Sequence, residues 1–204
     1  DSFIPVYEKN GRIIDLDFYM FEETVKLLAN WKEQGIPQRL ISINASALHA
    51  QNSDTVHRYT TILEKYGVDP ALIELELTET ATVSDYDHVK QLFAKLQTVG
   101  FRTALDDFGA GYSILNTVID IPVNTVKVDR AFISNCETTH KGIYFFREII
   151  NLLKGLGYHI VCEGVETPEQ ASILRNTMCD EVQGYWFSHP VPAHEFEKML
   201  QEGR

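Results

Sequence analysis

The stretch Thr103–Gly111, TALDDFGAG, decides how the rest of the chain is interpreted. An apolar and β-branched lead-in, two adjacent aspartates and a glycine-rich turn are typical of a buried parallel strand that delivers acids to its C-terminal end. Adjacent carboxylates repel each other, and two unpaired charges at a strand end are costly unless a cation lies between them. A divalent metal ion, or a pair of such ions, is the simplest partner for Asp106 and Asp107.

Helices and strands are predicted to alternate on both sides of this stretch. Apolar residues at helical spacing predict helices, and short apolar or β-branched runs predict strands. The predicted strands are 40–44, 72–78, 103–106, 125–128, 158–163 and 181–187. The predicted helices are 15–34, 55–66, 86–99, 144–156, 168–175 and 194–201. Alternating strands and helices of this kind predict a parallel sheet.

Polar side chains lie at or just after the end of each predicted strand. They are Asn44, Glu76, Asp106, Asp107, Lys127, Asp129, Glu163 and Gln183. An open doubly wound sheet gathers its ligands at one switch point, whereas a (β/α)8 barrel presents them at the ends of many strands. The predicted fold class is therefore α/β, a modified TIM barrel. Because six strands do not close an eight-stranded barrel, the first strands are expected to be absent from this chain and to precede Asp1.

Composition limits the classes of function. With 204 residues, 44% of them hydrophobic, residues 1–204 are expected to form a single domain. The net charge of −11, from 29 acidic and 18 basic residues, argues against DNA or RNA as a partner. Three cysteines without CxxC spacing indicate neither a disulfide framework nor a structural zinc site. With no signal-peptide pattern and no membrane-length apolar run, a cytoplasmic location is expected, and membrane tethering of the full-length protein is left open.

The chemistry of the strand ends is dominated by oxygen donors and one lysine. Hard oxygen ligands, without cysteine or histidine, favour Mg²⁺ or Mn²⁺ over zinc. Two such ions about 3.5 to 4 Å apart can activate water and stabilise the departing oxygen in phosphodiester cleavage. Taken singly, Asn44 has the simpler interpretation of a turn residue, and Glu74 that of an ordinary outer polar residue. The joint pattern predicts metal-assisted phosphoryl chemistry.

Seven segments carry a family resemblance in order along the chain. They are FIPVYEKNGRI, ISINAS, IELELTET, LDDFGAGYSIL, VKVDRAFI, CEGVET and CDEVQGYWFSHP. Together they closely resemble the EAL domain of cyclic di-GMP phosphodiesterases over essentially the whole chain. The resemblance implies a modified TIM barrel, hydrolysis of cyclic di-GMP to linear pGpG in bacterial second-messenger signalling, and dependence on Mg²⁺ or Mn²⁺, with two ions bound.

The resemblance also implies roles in catalysis. The implied metal ligands are Asn44, Glu76, Asp106 and Asp107. Asp106 would bridge two ions, and Asp107 would also belong to the catalytic set. Glu163 would be either a ligand or a hydrogen-bond partner of the attacking water. Lys127 would orient that water and offset negative charge in the transition state.

Further positions are implied in substrate binding and in one loop. The implied substrate-binding residues are Asp129, Glu166 and Gln183. Glu79 resembles the glutamate that anchors the loop 108–113, in which Gly109 and Gly111 permit a tight bend. Family analogy further implies a homodimer and an upstream sensory or GGDEF-type domain.

Two departures from the family pattern leave an alternative open. The Glu-Ala-Leu motif that names the family is absent, and its metal-binding glutamate is expected roughly 15 residues before Asp1. Ala110 and Ile114 stand where the family loop usually has threonine and serine. Because the acids at the other metal positions are kept, an enzyme is predicted. The alternative is a non-catalytic cyclic di-GMP receptor or regulatory domain.

Overall fold

The computed structural model describes residues 4–110 and 118–203. The strands are β1 (Ile41–Asn44), β2 (Ile73–Thr78), β3 (Arg102–Phe108), β4 (Thr125–Val128), β5 (His159–Cys162) and β6 (Glu181–Val182). The α-helices are α1 (Ile4–Lys9), α2 (Ile13–Gln34), α3 (Thr55–Tyr66), α4 (Glu79–Ser84), α5 (Tyr86–Thr98), α6 (Arg130–Cys136), α7 (His140–Gly155), α8 (Pro168–Leu174) and α9 (Ala193–Gln201). Short 3₁₀ helices cover Ala47–Gln51 and Pro70–Leu72.

The strands lie in one six-stranded sheet in chain order, β1-β2-β3-β4-β5-β6. The pairings of β1 with β2, β3 with β4, β4 with β5 and β5 with β6 are parallel. Parallel neighbours need a crossover connection, and helices supply it between successive strands. The predicted α/β class with a parallel sheet is therefore confirmed.

Several predicted bounds differ from the structure. Strand β3 runs on to Phe108, two residues beyond its predicted end, whereas β6 stops at Val182, five residues short of its predicted end. After β6 the chain turns, and the Phe187 amide donates to the Gly184 carbonyl oxygen at 3.0 Å. Glycine is needed at 184, because a Cβ there would lie 2.2 Å from the Val165 carbonyl oxygen. The following aromatic residues, Tyr185 to Phe187, are exposed rather than part of the core. Helices α1, α4 and α6 have only six or seven residues, too few to show a helical period in the sequence.

The chain divides into two compact units. The first comprises Asp1–Leu77, Asp85–Thr103 and Val191–Arg204, and the second comprises Thr78–Ser84 and Ala104–Pro190. Long helix α2 organises the first unit, because Phe21, Val25, Leu28 and Trp31 follow a helical spacing and are fully buried. The Trp31 indole nitrogen donates to Glu197 Oε1 at 2.8 Å, which ties α9 to this core.

The core of the second unit forms between its strands and α7. Leu105, Val126 and Ile160, on three neighbouring strands, are fully buried, as is Ile150 of α7. All four residues of β4 are buried, including Lys127, so this strand is covered on both faces. Among the described residues, no helix is both long and apolar enough to cross a bilayer.

Candidate active site

Asn44 is the last residue of β1, and Glu76 lies in the neighbouring strand β2, two residues before its end at Thr78. Their Cα atoms are partners in the parallel register of β1 and β2. The Ala45 amide donates to the Glu76 carbonyl oxygen at 2.9 Å, which continues the pairing past the strand end. Asn44 is exposed, whereas Glu76 is buried. An amide and a carboxylate are thus presented side by side at the C-terminal ends of two strands.

Glu74 is not the ordinary outer residue that the sequence interpretation made of it. It is buried, and its carboxylate accepts a 3.1 Å hydrogen bond from the Ser42 hydroxyl. Arg102 Nε lies 3.5 Å from Glu74 Oε1. That interpretation was wrong because residues two apart in a strand point to the same face, so Glu74 shares its face with Glu76.

The end of β3 is irregular where the two aspartates lie. Leu105 pairs with Val126, but the next partners are Phe108 and Val128, so β3 carries one extra residue against β4. This is a β-bulge. Asp107 has φ 57°, the only positive φ among the described residues other than glycine, and its amide donates to Asp106 Oδ1 at 2.9 Å. In a regular strand adjacent side chains point to opposite faces, so the bulge redirects one of the two carboxylates.

Negative charge accumulates around Asp107. Burial raises the pKa of its carboxyl, and the nearby charges of Asp106, Asp129 and Glu163 raise it further, whereas Lys127 opposes the shift. Burial is the largest cause of this upward shift, and the three neighbouring carboxylates act in the same direction. An added cation would therefore be electrostatically favoured here.

Lys127 lies between two of these carboxylates. Its Nζ is 2.6 Å from Glu163 Oε1 and 3.9 Å from Asp106 Oδ1. Strand β4 lies between β3 and β5 in the sheet, which is why a β4 lysine reaches acids from both neighbours. Glu163 is held at the end of β5 by its amide, which donates to the Val128 carbonyl at 2.9 Å. The second unit thus brings Asp106, Asp107, Lys127 and Glu163 together.

Asp129 has a structural task besides any binding role. Its side chain caps α6, with Oδ1 accepting from the Ala131 amide at 2.7 Å. Because its charge also acts on Asp107, it lies close to the carboxylate cluster. This hydrogen bond engages one carboxylate oxygen of Asp129 and thereby orients the other.

Glu166 and Gln183 lie beyond the ends of β5 and β6. The Glu166 carboxylate forms an ion pair with the Arg130 guanidinium, and the Glu166 amide donates to Gln170 Oε1 at 2.8 Å. Gln183 is exposed, and its backbone bridges β5 to the loop after it, through Cys162 and Val165. Sequence reasoning missed Arg130, although a basic residue directly after the polar end of β4 was a visible signal.

Of the predicted loop-anchoring residues, Glu79 and Gly109 lie within the described residues. Glu79 Oε2 accepts from the Gly109 amide at 3.2 Å, and burial raises the Glu79 pKa although this hydrogen bond opposes the shift. Glu79 Oε1 is buried and has no hydrogen-bond partner among residues 4–110 and 118–203. Gly109 has φ 96°, and a Cβ there would lie 2.8 Å from Phe132 Cγ. Gly111 and the rest of the loop from there on lie outside the described residues.

The donor set fits a hard divalent cation by its chemistry. Carboxylate and amide oxygens end β1, β2, β3 and β5, and the crowding of charge at Asp107 favours a cation. Within the part of the chain that the structure describes, no group of three His, Cys, Asp or Glu side chains is arranged to hold a metal ion. The types of residue are therefore those that bind such an ion.

Curated proteins resemble this chain over nearly its whole length. It is 34% identical over 98% of its length to signaling protein YkoW of Bacillus subtilis, of which it covers 25%. It is 33% identical over its whole length to cyclic di-GMP phosphodiesterase NbdA of Pseudomonas aeruginosa, of which it covers 26%. The chain spans about a quarter of the length of these relatives.

A solved structure shows the same fold. The PaMucR phosphodiesterase in its c-di-GMP complex superposes with a TM-score of 0.86 at 29% identity, covering 96% of this chain and 79% of that one. This match confirms the predicted fold class, an α/β fold of the TIM-barrel type that here has six strands among the described residues. Residues 1–190 match the EAL domain family. The chain therefore belongs to the EAL domain family.

Proposed function

We propose that this domain is a phosphodiesterase that hydrolyses cyclic di-GMP to linear pGpG with Mg²⁺ or Mn²⁺, within bacterial second-messenger signalling. One observation carries the proposal: the buried Lys127 ammonium lies between Asp106 and Glu163 beside the crowded Asp107 carboxylate. A lysine in this position needs a purpose beyond packing, because buried lysines are rare and costly. Membership of the EAL family and the relatives named for this activity support it.

Four residues would hold two metal ions in this proposal: Asn44, Glu76, Asp106 and Asp107. The first two are paired in register at the ends of β1 and β2, and the last two lie at the bulge in β3. Bound ions would supply Lewis-acid stabilisation of the phosphate and of the departing oxygen. The four side chains would contribute the oxygen atoms that hold the ions.

Lys127 and Glu163 would act together on the attacking water. A carboxylate 2.6 Å from an ammonium keeps that ammonium charged and oriented. Glu163 would accept a hydrogen bond from the water, and Lys127 would orient the water and offset negative charge on the phosphate as the bond breaks. Asp129, Glu166 and Gln183 would contact the nucleotide, and the pair Glu79 and Gly109 would anchor the loop after β3.

The wider setting is also part of the proposal. We propose a homodimer and an upstream sensory or GGDEF-type domain that controls turnover. Support comes from the relatives, since the chain matches only about a quarter of the length of signalling proteins such as YkoW. Hydrolysis of a second messenger serves signalling only when a signal regulates it. A separate domain would receive that signal.

A cyclic di-GMP receptor without turnover is the second candidate. The observation that favours it is that, among the described residues, no three potential ligands are arranged to hold a metal ion. A receptor would bind the nucleotide and pass on a conformational change without hydrolysis. The acids retained at Asp106, Asp107 and Glu163 favour the enzyme, because a pure receptor has no use for crowded carboxylates near a phosphate.

One experiment separates the two candidates. The full-length protein is incubated with cyclic di-GMP and Mg²⁺ or Mn²⁺, and the products are separated by chromatography. Formation of pGpG that EDTA blocks and added metal restores is the expected result. Tight binding of cyclic di-GMP without pGpG, at either metal, would assign the domain to the receptor class.

A further inference from the structure

The two backbone amides that follow Asn44 are each held by a different element of the first unit. The Ala45 amide donates to the Glu76 carbonyl oxygen of β2 at 2.9 Å. The Ser46 amide donates to Asp17 Oδ2 of α2, also at 2.9 Å. Because β1 ends at Asn44, the Ser46 amide lies beyond the strand pairing, and a side chain from α2 holds it instead.

His49, in the 3₁₀ helix after β1, orients the Asp17 carboxylate. Its Nε2 lies 2.9 Å from Asp17 Oδ2, the oxygen that also accepts from the Ser46 amide. A carboxylate only accepts hydrogen bonds, so Nε2 is the donor. His49 is 1% exposed, and its ring centroid lies 5.0 Å from that of Phe18 and 5.6 Å from that of Tyr59. Within the part of the chain that the structure describes, Nδ1 has no hydrogen-bond partner, so Asp17 is the polar group that fixes the ring.

We propose that Asp17 is a positioning residue for Asn44. Through the Ser46 amide it holds the backbone after Asn44, so that the Asn44 side chain stays in place for a metal ion, and His49 keeps the Asp17 carboxylate in orientation. This inference rests on the proposed function, in which Asn44 is a metal ligand. Groups that orient a ligand in this way change metal affinity by roughly ten- to a hundredfold.

Among the proposed ligands, Asn44 depends most on being held in position. Its amide oxygen carries no net charge, so it attracts a cation less strongly than the carboxylate of Glu76 does. Asn44 is also exposed, whereas Glu76 is buried, so packing constrains the Asn44 side chain less. A backbone that is fixed on its C-terminal side reduces the ordering that metal binding requires of this residue.

The first test is independent of activity. Metal-free full-length protein is titrated with Mn²⁺ without nucleotide, and free Mn²⁺ is measured by electron paramagnetic resonance. Asp17→Ala should weaken Mn²⁺ binding roughly tenfold. Asp17→Asn should bind Mn²⁺ like the parent protein, because its amide oxygen still accepts from the Ser46 amide. Parent-like binding by Asp17→Ala would overturn the proposal.

A double variant tests whether Asp17 acts through Asn44. In an Asn44→Ala background, Asp17→Ala should cause no further loss of Mn²⁺ affinity, because the side chain that Asp17 positions is already gone. A further loss in that background would mean that Asp17 supports the metal site by another route, and it would overturn the proposal.

Variants of Ser46 isolate its amide. Ser46→Pro removes the amide hydrogen, and the Ser46 φ of −77° suits proline, so Mn²⁺ binding should weaken as it does in Asp17→Ala. Ser46→Ala is the matched control: it removes only the hydroxyl, which accepts from the Leu48 amide at 3.3 Å, and it should bind Mn²⁺ like the parent protein. Equal binding by Ser46→Pro and Ser46→Ala would overturn the proposal.

A variant of Thr55 controls for stability. Thr55 is fully buried, and its hydroxyl donates to the His49 carbonyl oxygen at 2.9 Å. Thr55→Val removes this hydrogen bond and leaves the Ser46 amide with Asp17, so it should lower stability in urea unfolding without weakening Mn²⁺ binding. A loss of Mn²⁺ affinity as large as that of Asp17→Ala would indicate a merely structural role and contradict positioning.

The second test rests on the proposed function. Asp17→Ala should raise the Mn²⁺ concentration for half-maximal pGpG formation roughly tenfold and leave kcat at saturating Mn²⁺ within about twofold of the parent value. A lower kcat with an unchanged Mn²⁺ requirement would overturn the proposal. If the parent protein binds Mn²⁺ but forms no pGpG, the phosphodiesterase proposal fails, whereas the Mn²⁺ affinities still decide the role of Asp17. If the parent protein binds no Mn²⁺, both proposals fail.

Discussion

The ends of β2 and β3 each carry two acids, but they place them by different means. Glu74 and Glu76 are two residues apart in a regular strand, so they share a face without any distortion. Asp106 and Asp107 are adjacent, and they lie where a β-bulge and a positive φ at Asp107 interrupt the strand. Spacing alone places the first pair on one face of the strand, whereas the placement of the second pair depends on backbone irregularity.

The ends of β2 and β3 also differ in how cationic side chains balance the negative charge of the acids. Arg102 Nε lies 3.5 Å from Glu74, at the edge of the acid pair in β2. At β3, burial and then the charges of Asp106, Asp129 and Glu163 raise the pKa of Asp107, and Lys127 opposes this shift. The contact of Arg102 with Glu74 serves structure, whereas the crowded carboxylates at β3 are suited to a bound cation.

The largest effect is expected from removing charge at β3. Asp106→Asn and Asp107→Asn should each lower pGpG formation by roughly 10³-fold, because the proposed metal ligands are lost while the side-chain volume is kept. Glu74→Gln is the matched control, and it should retain turnover. Rates are measured by chromatography, with circular dichroism to confirm folding. Full activity of Asp106→Asn would remove β3 from the catalytic assignment.

The cationic side chains beside the two acid pairs, Lys127 and Arg102, should differ almost as much in their effect on turnover. Lys127→Ala is expected to lower kcat roughly 10²-fold with little change in affinity for cyclic di-GMP, since its charge is proposed to act in the transition state. Arg102→Ala is the control at β2 and should change stability more than kcat. Single-turnover rates and equilibrium binding separate the two quantities. An equal loss of rate and affinity in Lys127→Ala would indicate a plain binding role instead.

The turn after β3 should tolerate less change than a similar turn elsewhere. Gly109 and Gly157 have similar positive φ values, 96° and 93°, but a Cβ at Gly109 would lie 2.8 Å from Phe132 whereas Gly157 has open space. Gly157→Ala should cost about 1 kcal/mol of unfolding free energy from backbone strain alone. Gly109→Ala should cost about 2 to 3 kcal/mol, because the contact adds to the same strain. Urea unfolding measures both, and equal losses would mean that Phe132 moves aside freely.

The smallest expected effect concerns backbone strain at Asp107 and at Glu76. At Asp107, whose φ is 57°, glycine should be more stable than alanine by about 1 kcal/mol, because only glycine adopts this conformation without strain. At Glu76, in regular β2, the order should reverse by a similar amount. Each comparison uses two variants that lack the same carboxylate, so the lost charge cancels. The same order at both sites would show that the ends of β2 and β3 do not differ in backbone strain.

The regular parts of the fold were predictable because they depend on periodicity. Strand β4 and helix α3 have the predicted bounds, and α2 ends at Gly35, whose φ of 69° suits a left-handed helix cap. The pairing of Asn44 with Glu76 follows from two strands of parallel register, each ending in a polar residue. Short elements such as α4 were missed because a single turn leaves no period to detect.

The sequence by itself determined the parallel α/β fold, the family and the kinds of donor at the strand ends. It did so because side-chain periodicity and motif order are properties of the chain read in one dimension. The tertiary structure decided the bulge at Asp106 and Asp107, the burial of Glu74 beside Arg102, and the contact of Lys127 with Glu163. Each of these depends on which strands are neighbours and on a shift of one residue in their register, which local sequence preferences do not specify.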